Sequence, residues 1–466
     1  MLIRIISTLI SEVIMTSIKI DFGKTVGQIK PMHAVGQPPF LGGSLCFDFS
    51  FIEHLKKANI PYSRLHDVGG AFGGNRFVDI PNLFRNFDAN ENDPESYDFV
   101  FTDVLLEAMY KYDLKPIFRL GVTIENQANI KAYTIHPPKD PAKWARICEH
   151  VIRHYNEGWA DGYHYGIEYW EIWNEPDNAP TPETNQMWTG TAEEFYELYD
   201  VTAKHLKACF GDSIKVGGYG CCGIGGIFYY PERFGIDCPS WTIDENYDRY
   251  MYRTQFFFGF LEYIREHKSP IDFFSWHSYF STENTRLLDE FINRKLSEYG
   301  YAGLETHLNE WNNACRGGIY HGTSFASASA AAMMLAMQNA HVDMLCYYDS
   351  RLIASAYGGF FAPLTFEPVC TYYAFAAFGE LFVLKNQVTC EIDGAEEGLY
   401  AIAAADNGRK AVMIVNRSEE KRRINTNVTK ECVVYLIDKD HYMTETDLSV
   451  TELVLESNQV ALIKNY

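Results

Sequence analysis

Two glutamates stand apart from the other acidic residues of this chain. Glu175 closes the run Trp170-Glu-Ile-Trp-Asn174-Glu175-Pro176-Asp177, and Glu310 closes His307-Leu-Asn-Glu310-Trp311-Asn312. Both sit among Asn and Trp rather than in a solvated, charged stretch. Two carboxyl groups flanking one bond are the minimum equipment for cleaving a glycoside: one protonates the leaving oxygen, the other attacks or stabilises the oxocarbenium-like centre. Their protonation states must be opposite at neutral pH. The acid needs burial or a negative neighbour to keep its proton, and its partner needs cations and hydrogen bonds to stay ionised.

Elements that could bring these residues together are legible between about residues 31 and 382. Short apolar runs alternate there with segments of helical period, the pattern of a parallel sheet with crossover helices. Candidate strands fall at 32–36, 61–66, 115–121, 168–175, 213–219, 271–279, 306–312 and 344–349. Clear helical periods run over 191–210, 244–268, 283–299 and 323–340, with a further helix at 367–382. Eight such units predict an α/β fold, a (β/α)8 TIM barrel, whose catalytic groups project from the C-terminal ends of the strands. Strands four and seven, which carry Glu175 and Glu310, face each other across the barrel mouth. Arg64 and Arg119 lie inside strands, where an unpaired cation would be costly, so each requires a carboxylate partner. Glu171 is one candidate, and Arg64 is close enough to the mouth to hold Glu310 charged.

Asn174-Glu175-Pro176 at strand four, with a second Glu closing strand seven, resembles clan A of the retaining glycoside hydrolases. Within that clan WEIWNEPD, SRLHD at strand two and the late LNEWN are most similar to glycoside hydrolase family 39, which contains β-xylosidases and α-L-iduronidases. The resemblance spans essentially the whole chain, because that family joins a barrel to a β-sandwich of C-terminal strands. It implies that Glu175 is the general acid/base, Asn174 the donor to the sugar 2-hydroxyl and Glu310 the nucleophile. The family's His at the end of strand two matches His66, and its His-x-Tyr at strand six matches His277 and Tyr279, all three as substrate-binding residues. Tyr279 is also a candidate hydrogen-bond donor to the nucleophile. Trp173, Trp276 and Trp311 are candidates for the hydrophobic wall of the sugar subsite, and Tyr347, Tyr348 and Asp349 form a weaker set at strand eight. A retaining exo-glycosidase with a β-xyloside as default substrate is the reading this supports, with arabinosidase, galactosidase or uronidase specificity as alternatives. A uronate would need a cation, and none stands beside the site residues in sequence unless loops bring in Lys131 or Arg316.

Beyond residue 382 short alternating runs separated by polar turns predict an antiparallel β-sandwich domain over 383–466. The alternating stretch 17–22 has no barrel position left and is expected to join that sheet. Formal charge is −21 in 466 residues, a field that repels nucleic acid and anionic membrane surfaces. No run reaches the roughly 18 apolar residues of a membrane span. The start, MLIRIISTLISEVIMT, is interrupted by Glu12 and lacks a small-residue cleavage site, so it makes a poor signal peptide. Met15 is then a candidate first residue and the cytoplasm the expected location. The 11 Cys show no metal spacing and are expected to be reduced. No cofactor or metal is expected, the partner is a small saccharide or oligosaccharide, and a homo-oligomer stays open.

Two segments depart from the family pattern. Gly69 to Arg76 is glycine-rich but lacks the Gly-Lys-Ser/Thr of a phosphate loop, and 221–243 is a long insertion. Both are expected to shape the sugar subsite. Two other readings compete. A carbohydrate-binding protein on the same fold need not keep both carboxylates, and a metal-dependent hydrolase needs His and Asp ligands at several strand ends, for example H-x-H on the first strand, where His33 stands alone.

Overall fold

A computed structural model describes residues 15–42, 47–68, 78–123, 135–352, 355–394 and 397–466. Eight parallel strands close a barrel: Ala34–Gly36, Tyr62–Leu65, Lys115–Leu120, Tyr169–Ile172, Lys215–Cys221, Phe273–Ser278, Glu305–Trp311 and Met344–Tyr347. The eighth pairs with the first through Cys346 and Ala34. Helices cross over between them at Ile52–Lys57, Val100–Lys111, Pro141–Glu157, Ala192–Phe210, Tyr247–His267, Thr282–Glu298 and Ser324–Gln338, and Cys370–Phe382 follows the last strand.

Local sequence accounts for several boundaries. Thr191 and Glu194 form a reciprocal capping box that starts Ala192–Phe210. Asp140 caps Pro141–Glu157, which ends at Gly158 in the left-handed conformation. Strands Lys215–Cys221 and Phe273–Ser278 need Gly217, where an added Cβ would lie 2.1 Å from the Phe273 carbonyl oxygen.

Inside the barrel, Ala34, Ile117, Tyr169, Phe273, Met344 and Cys346 form an apolar plug at the N-terminal end. At the opposite end, where the fold places its chemistry, the barrel interior carries Arg64, Glu171, His277 and Glu310. Between strands and helices lies the main core, rich in aromatics such as Phe118, Trp170, Tyr199 and Phe375.

The C-terminal strands form one continuous nine-stranded sheet rather than two separately hydrogen-bonded layers. It curls so that Ile18, Val412, Ile414, Ile424, Val434, Leu453 and Ile463 enclose a core of their own. Its other face, with Met413, Val415 and Leu462, packs into the main core. Strand Met15–Gln28 lies inside this sheet, antiparallel to Asn386–Asp393 and parallel to Arg422–Thr426, so the sheet is not wholly antiparallel. The described cysteines are free thiols. Among the described residues no helix is long and apolar enough to cross a membrane.

Candidate active site

At the C-terminal end of the barrel, polar side chains stand in two tiers. The lower tier centres on Arg64, 1% exposed, whose Nε donates to Glu171 Oε2 at 2.7 Å, Nη2 to Asn174 Oδ1 at 2.5 Å and Nη1 to Glu310 Oε2 at 3.1 Å. One guanidinium thereby ties the end of strand four to the end of strand seven. Glu171 also accepts from Ser275 Oγ and Asn309 Nδ2, both at 2.6 Å. Burial works to raise its carboxyl, but Arg64 and these donors hold it below the ordinary value. Arg119 pairs with Asp79 at 2.5 Å rather than with Glu171.

The upper tier holds the carboxylate pair. One oxygen of Glu175, one of Glu310 and a ring nitrogen of His277 all lie within 4.8 Å of one another. His277 Nδ1 is 2.7 Å from Glu175 Oε1 and 3.7 Å from Glu310 Oε2. Asn178 Nδ2 donates to Glu175 Oε2 at 2.9 Å, and the Tyr279 hydroxyl donates to Glu310 Oε1 at 2.6 Å. The trio has the spacing of metal ligands, yet Arg64 already sets a cation against Glu310, and His277 bonds Glu175 directly.

The electrostatics reverse a simple division of labour. Burial would raise the Glu175 carboxyl, but the hydrogen bond and charge of His277, helped by Arg253, bring it down to about 2. Glu310 is raised by burial and by the charge of Glu175, against His277, Arg64 and Tyr279. His277 resists the effect of burial because both glutamates face it, and it titrates above its ordinary value. These opposite shifts put the proton nearest Glu175 on His277, one 2.7 Å hydrogen bond away. Behind Glu175, burial and that carboxylate's charge push Asp177 up to about 7, although Arg253 and the Cys222 N–H oppose them. Burial and the charges of Arg64 and Arg119 hold His66 well below its usual range, so its ring is neutral.

Above the pair opens a cavity of about 300 Å³. His66, Asp67, Tyr279, Tyr348, Tyr357, Thr184, Gln186 and Arg249 line it, with Tyr279 and Tyr348 beside Glu310 and Asn178, Cys222 and Arg253 beside Glu175. Asn174 Nδ2, His66 Nδ1 and His277 Nε2 are buried without a hydrogen-bond partner among the described residues. Buried polar atoms are rarely left so unless a ligand supplies the missing partner. Asp67, Trp173 and Glu175 have φ of 54°, 71° and 47°, left-handed backbone that side-chain-bearing residues adopt at a cost and that clusters at functional sites.

Asn174, Glu175, His66, His277, Tyr279 and Glu310 thus gather at one place, but the tryptophans do not. Trp311 follows the inward-facing Glu310, so strand alternation turns it outward against Tyr347 and Phe375. Trp173 donates its Nε1 to the Met187 carbonyl and packs on Trp144 and Trp188, facing a separate apolar cavity. Trp276 is likewise buried in the main core. The aromatic lining of the site comes instead from tyrosines. Tyr348 is among them and donates to Asp67 Oδ2 at 2.7 Å. Tyr347 points into the core, and Asp349 pairs with Arg351 at 2.6 Å. Segment 69–76 and Lys131 lie outside the described residues, and the Arg316 side chain is not described.

Sequence reasoning missed Asp67, Asp177, Asn178, Cys222, Tyr357 and the two arginines at the rim. Asp67, Asp177 and Asn178 adjoin residues already singled out, and adjacency could have found them. Arg249 and Arg253 carry only a four-residue spacing on one helix. The insertion 221–243 contributes the cavity wall at Cys222 and then folds back onto that helix, where Trp241 packs edge-on against Tyr250.

With this geometry in view, a family model for glycosyl hydrolases family 39 matches residues 72–298. A β-xylosidase of Geobacillus stearothermophilus is 24% identical over 276 residues, 56% of this chain and 44% of that protein. The match therefore spans less than half of that relative's length. A glucosidase structure from Croceicoccus marinus superposes with TM-score 0.74 at 18% identity, covering 97% of this chain and 99% of that one. A family 39 β-xylosidase structure from Caulobacter crescentus gives TM-score 0.64 at 16% identity, covering 96% and 99%. At these identities the superpositions speak for the fold.

Proposed function

Because the chain belongs to glycoside hydrolase family 39, we propose that it is a retaining exo-glycosidase in which Glu310 is the nucleophile and Glu175 the general acid/base. The observation that carries this reading is the approach of the two carboxylates to within 4.8 Å at their nearest oxygens. Retaining enzymes hold their carboxyl groups about 5–5.5 Å apart, whereas inverting ones leave about 6.5–9.5 Å for a water. Glu310, oriented by Arg64 and Tyr279, attacks the anomeric carbon as Glu175 protonates the leaving oxygen. The proton for that step crosses the 2.7 Å hydrogen bond from His277, which leaves a neutral imidazole and a carboxylic acid. Water, deprotonated by Glu175, then releases the sugar from Glu310. Asn174, its Oδ1 anchored by Arg64, presents its unpartnered Nδ2 to the sugar 2-hydroxyl.

The cavity lies at the small end of the roughly 300–1,000 Å³ typical of ligand pockets, which suits removal of one terminal sugar. A β-D-xyloside is the substrate we favour, supported by the relative named a β-xylosidase. A panel of nitrophenyl xylosides, arabinosides, galactosides, glucosides, fucosides and uronides tests this, with the highest kcat/KM expected on β-D-xyloside. Turnover of a hexoside alone refutes the pentose and spares the mechanism. Glu175→Ala should spare activated aryl glycosides in the first step, lose poor leaving groups by about 10²–10⁴-fold and be rescued by azide as a β-glycosyl azide. Equal loss on both substrate types, without rescue, removes Glu175 from its role.

A further inference from the structure

Four described arginines are buried, and three of them have a carboxylate in ion-pair contact: Arg64 with Glu171 and Glu310, Arg119 with Asp79, and Arg351 with Asp349. Arg253 is the exception. Its guanidinium, 8% exposed, donates to the carbonyl oxygens of Asn178, at 3.0 and 3.3 Å, and Cys222, at 3.2 Å. Glu175 and Asp177 act on it only from beyond ion-pair distance. One helical turn earlier, on the same face, Arg249 also lines the cavity, is exposed, and makes no ion pair among the described residues.

This arrangement is unfavourable in isolation. Like charges four residues apart on a helix repel, and Arg249 stands in the first turn of Tyr247–His267, where the helix dipole disfavours a cation. A chain with 61 Asp and Glu has ample means to pair both arginines, yet leaves them facing the cavity. The helix turn that carries them is also held in place. Gly226 of the 221–243 insertion packs so tightly on it that an added Cβ would lie 2.5 Å from Thr254 Oγ1 and 2.7 Å from the Tyr250 carbonyl oxygen.

Arg253 stands on the Glu175 side, and Arg249 lines the same cavity one helical turn away. Asn178 links the two features directly: its Nδ2 bonds Glu175 and its carbonyl oxygen receives Arg253. A general acid protonates the oxygen of the departing group, so the leaving group must lie on this side. We propose that the leaving-group half of the cavity is built for a leaving group bearing a carboxylate, an acidic sugar or an aromatic acid, bound by Arg249 with the fixed charge of Arg253 behind it. The inference rests on the assignment of Glu175 as the acid.

Two matched substrate pairs test it, each carrying the sugar that the panel above hydrolyses best. One pair has 4-carboxyphenyl and 4-carbamoylphenyl leaving groups; the other has glucuronic acid and glucose. The wild type should prefer the carboxylate member of at least one pair by about tenfold or more in kcat/KM. Preference in the aryl pair points to an aromatic acid, and preference in the disaccharide pair to an acidic sugar. Arg249→Gln should bring that ratio close to one, Arg249→Glu should invert it, and about 0.5 M salt should compress it in the wild type. A wild-type ratio near one in both pairs overturns the proposal, as does a preference that Arg249→Gln leaves intact. Either result leaves the glycosidase reading standing, whereas absence of turnover on every glycoside removes both.

Discussion

Tyr279→Phe removes a single oxygen atom and isolates what holds Glu310 ionised. That hydroxyl donates to Glu310 Oε1 at 2.6 Å, and burial pushes its own pKa well above the usual value, so it is a donor at every working pH. Glu310 is already raised by burial and by Glu175, with His277, Arg64 and Tyr279 opposing. A hydrogen bond to a charged group contributes about 1.5–3 kcal/mol, and one pH unit corresponds to about 1.4 kcal/mol. Losing it should raise the Glu310 carboxyl by about 1–2 pH units. As the proposed nucleophile, Glu310 must be ionised, so the acid limb of the kcat/KM profile should move upward by the same amount. The step that returns negative charge to Glu310 should slow by about 10–100-fold, the same free energy expressed as a rate. The ring of Phe keeps the contacts with Tyr357 at 5.2 Å and Tyr348 at 6.4 Å, so the fold should be unaffected. The profile is measured from about pH 3.5 to 8 on an aryl glycoside, with circular dichroism checking the fold. An acid limb that stays in place or moves downward refutes the reasoning.

Asp177 is raised from 3.8 to about 7 by burial first, so between those values the folded chain keeps a proton that the unfolded chain has released. Stability from this group is therefore complete below about pH 4 and lost as pH climbs toward about 7; Asp177→Asn should recover up to ~4 kcal/mol at about pH 8, and melting curves with the same pH dependence as wild type would contradict this. Trp311→Ala should lower stability by ~3–5 kcal/mol, as for other buried aromatics, with KM unchanged; a raised KM at unchanged melting temperature would put the ring back in the subsite. Arg64→Lys keeps a charge but loses the fork that reaches Glu171, Asn174 and Glu310 together. It should reduce kcat/KM by about 100-fold, roughly two charge-assisted hydrogen bonds, and wild-type activity in this variant would show that the fork is dispensable.

The period of the chain was enough to read the barrel. Runs such as 115–121 and 271–279, spaced by helical segments, match strands Lys115–Leu120 and Phe273–Ser278, because burial on both faces demands continuous apolar residues in a parallel sheet. The strand-end rule likewise pointed to Glu175 and Glu310, since a barrel exposes side chains for chemistry at one end only, and the family resemblance added His66, His277 and Tyr279. The buried arginines announced their need for carboxylates, and Arg64 found Glu171 and Glu310.

Other features are set by distances between residues far apart in the chain, and no local pattern carries them. Residue type suggested tryptophans at the subsite, but a break in strand register between Leu308 and Glu310 lets Asn309 and Glu310 both face inward and leaves Trp311 outward, against Tyr347 and Phe375. The protonation of Glu175 depends on His277 standing 2.7 Å away, across 102 residues of sequence. Arg253 meets Asn178 across 75 residues, and only the fold of 221–243 back onto the helix brings its charge to the cavity. Secondary structure follows from side-chain periodicity and the backbone's short-range preferences, whereas protonation and specificity follow from Coulomb and hydrogen-bond terms that vary steeply over a few ångströms. Those separations exist only once the barrel has closed.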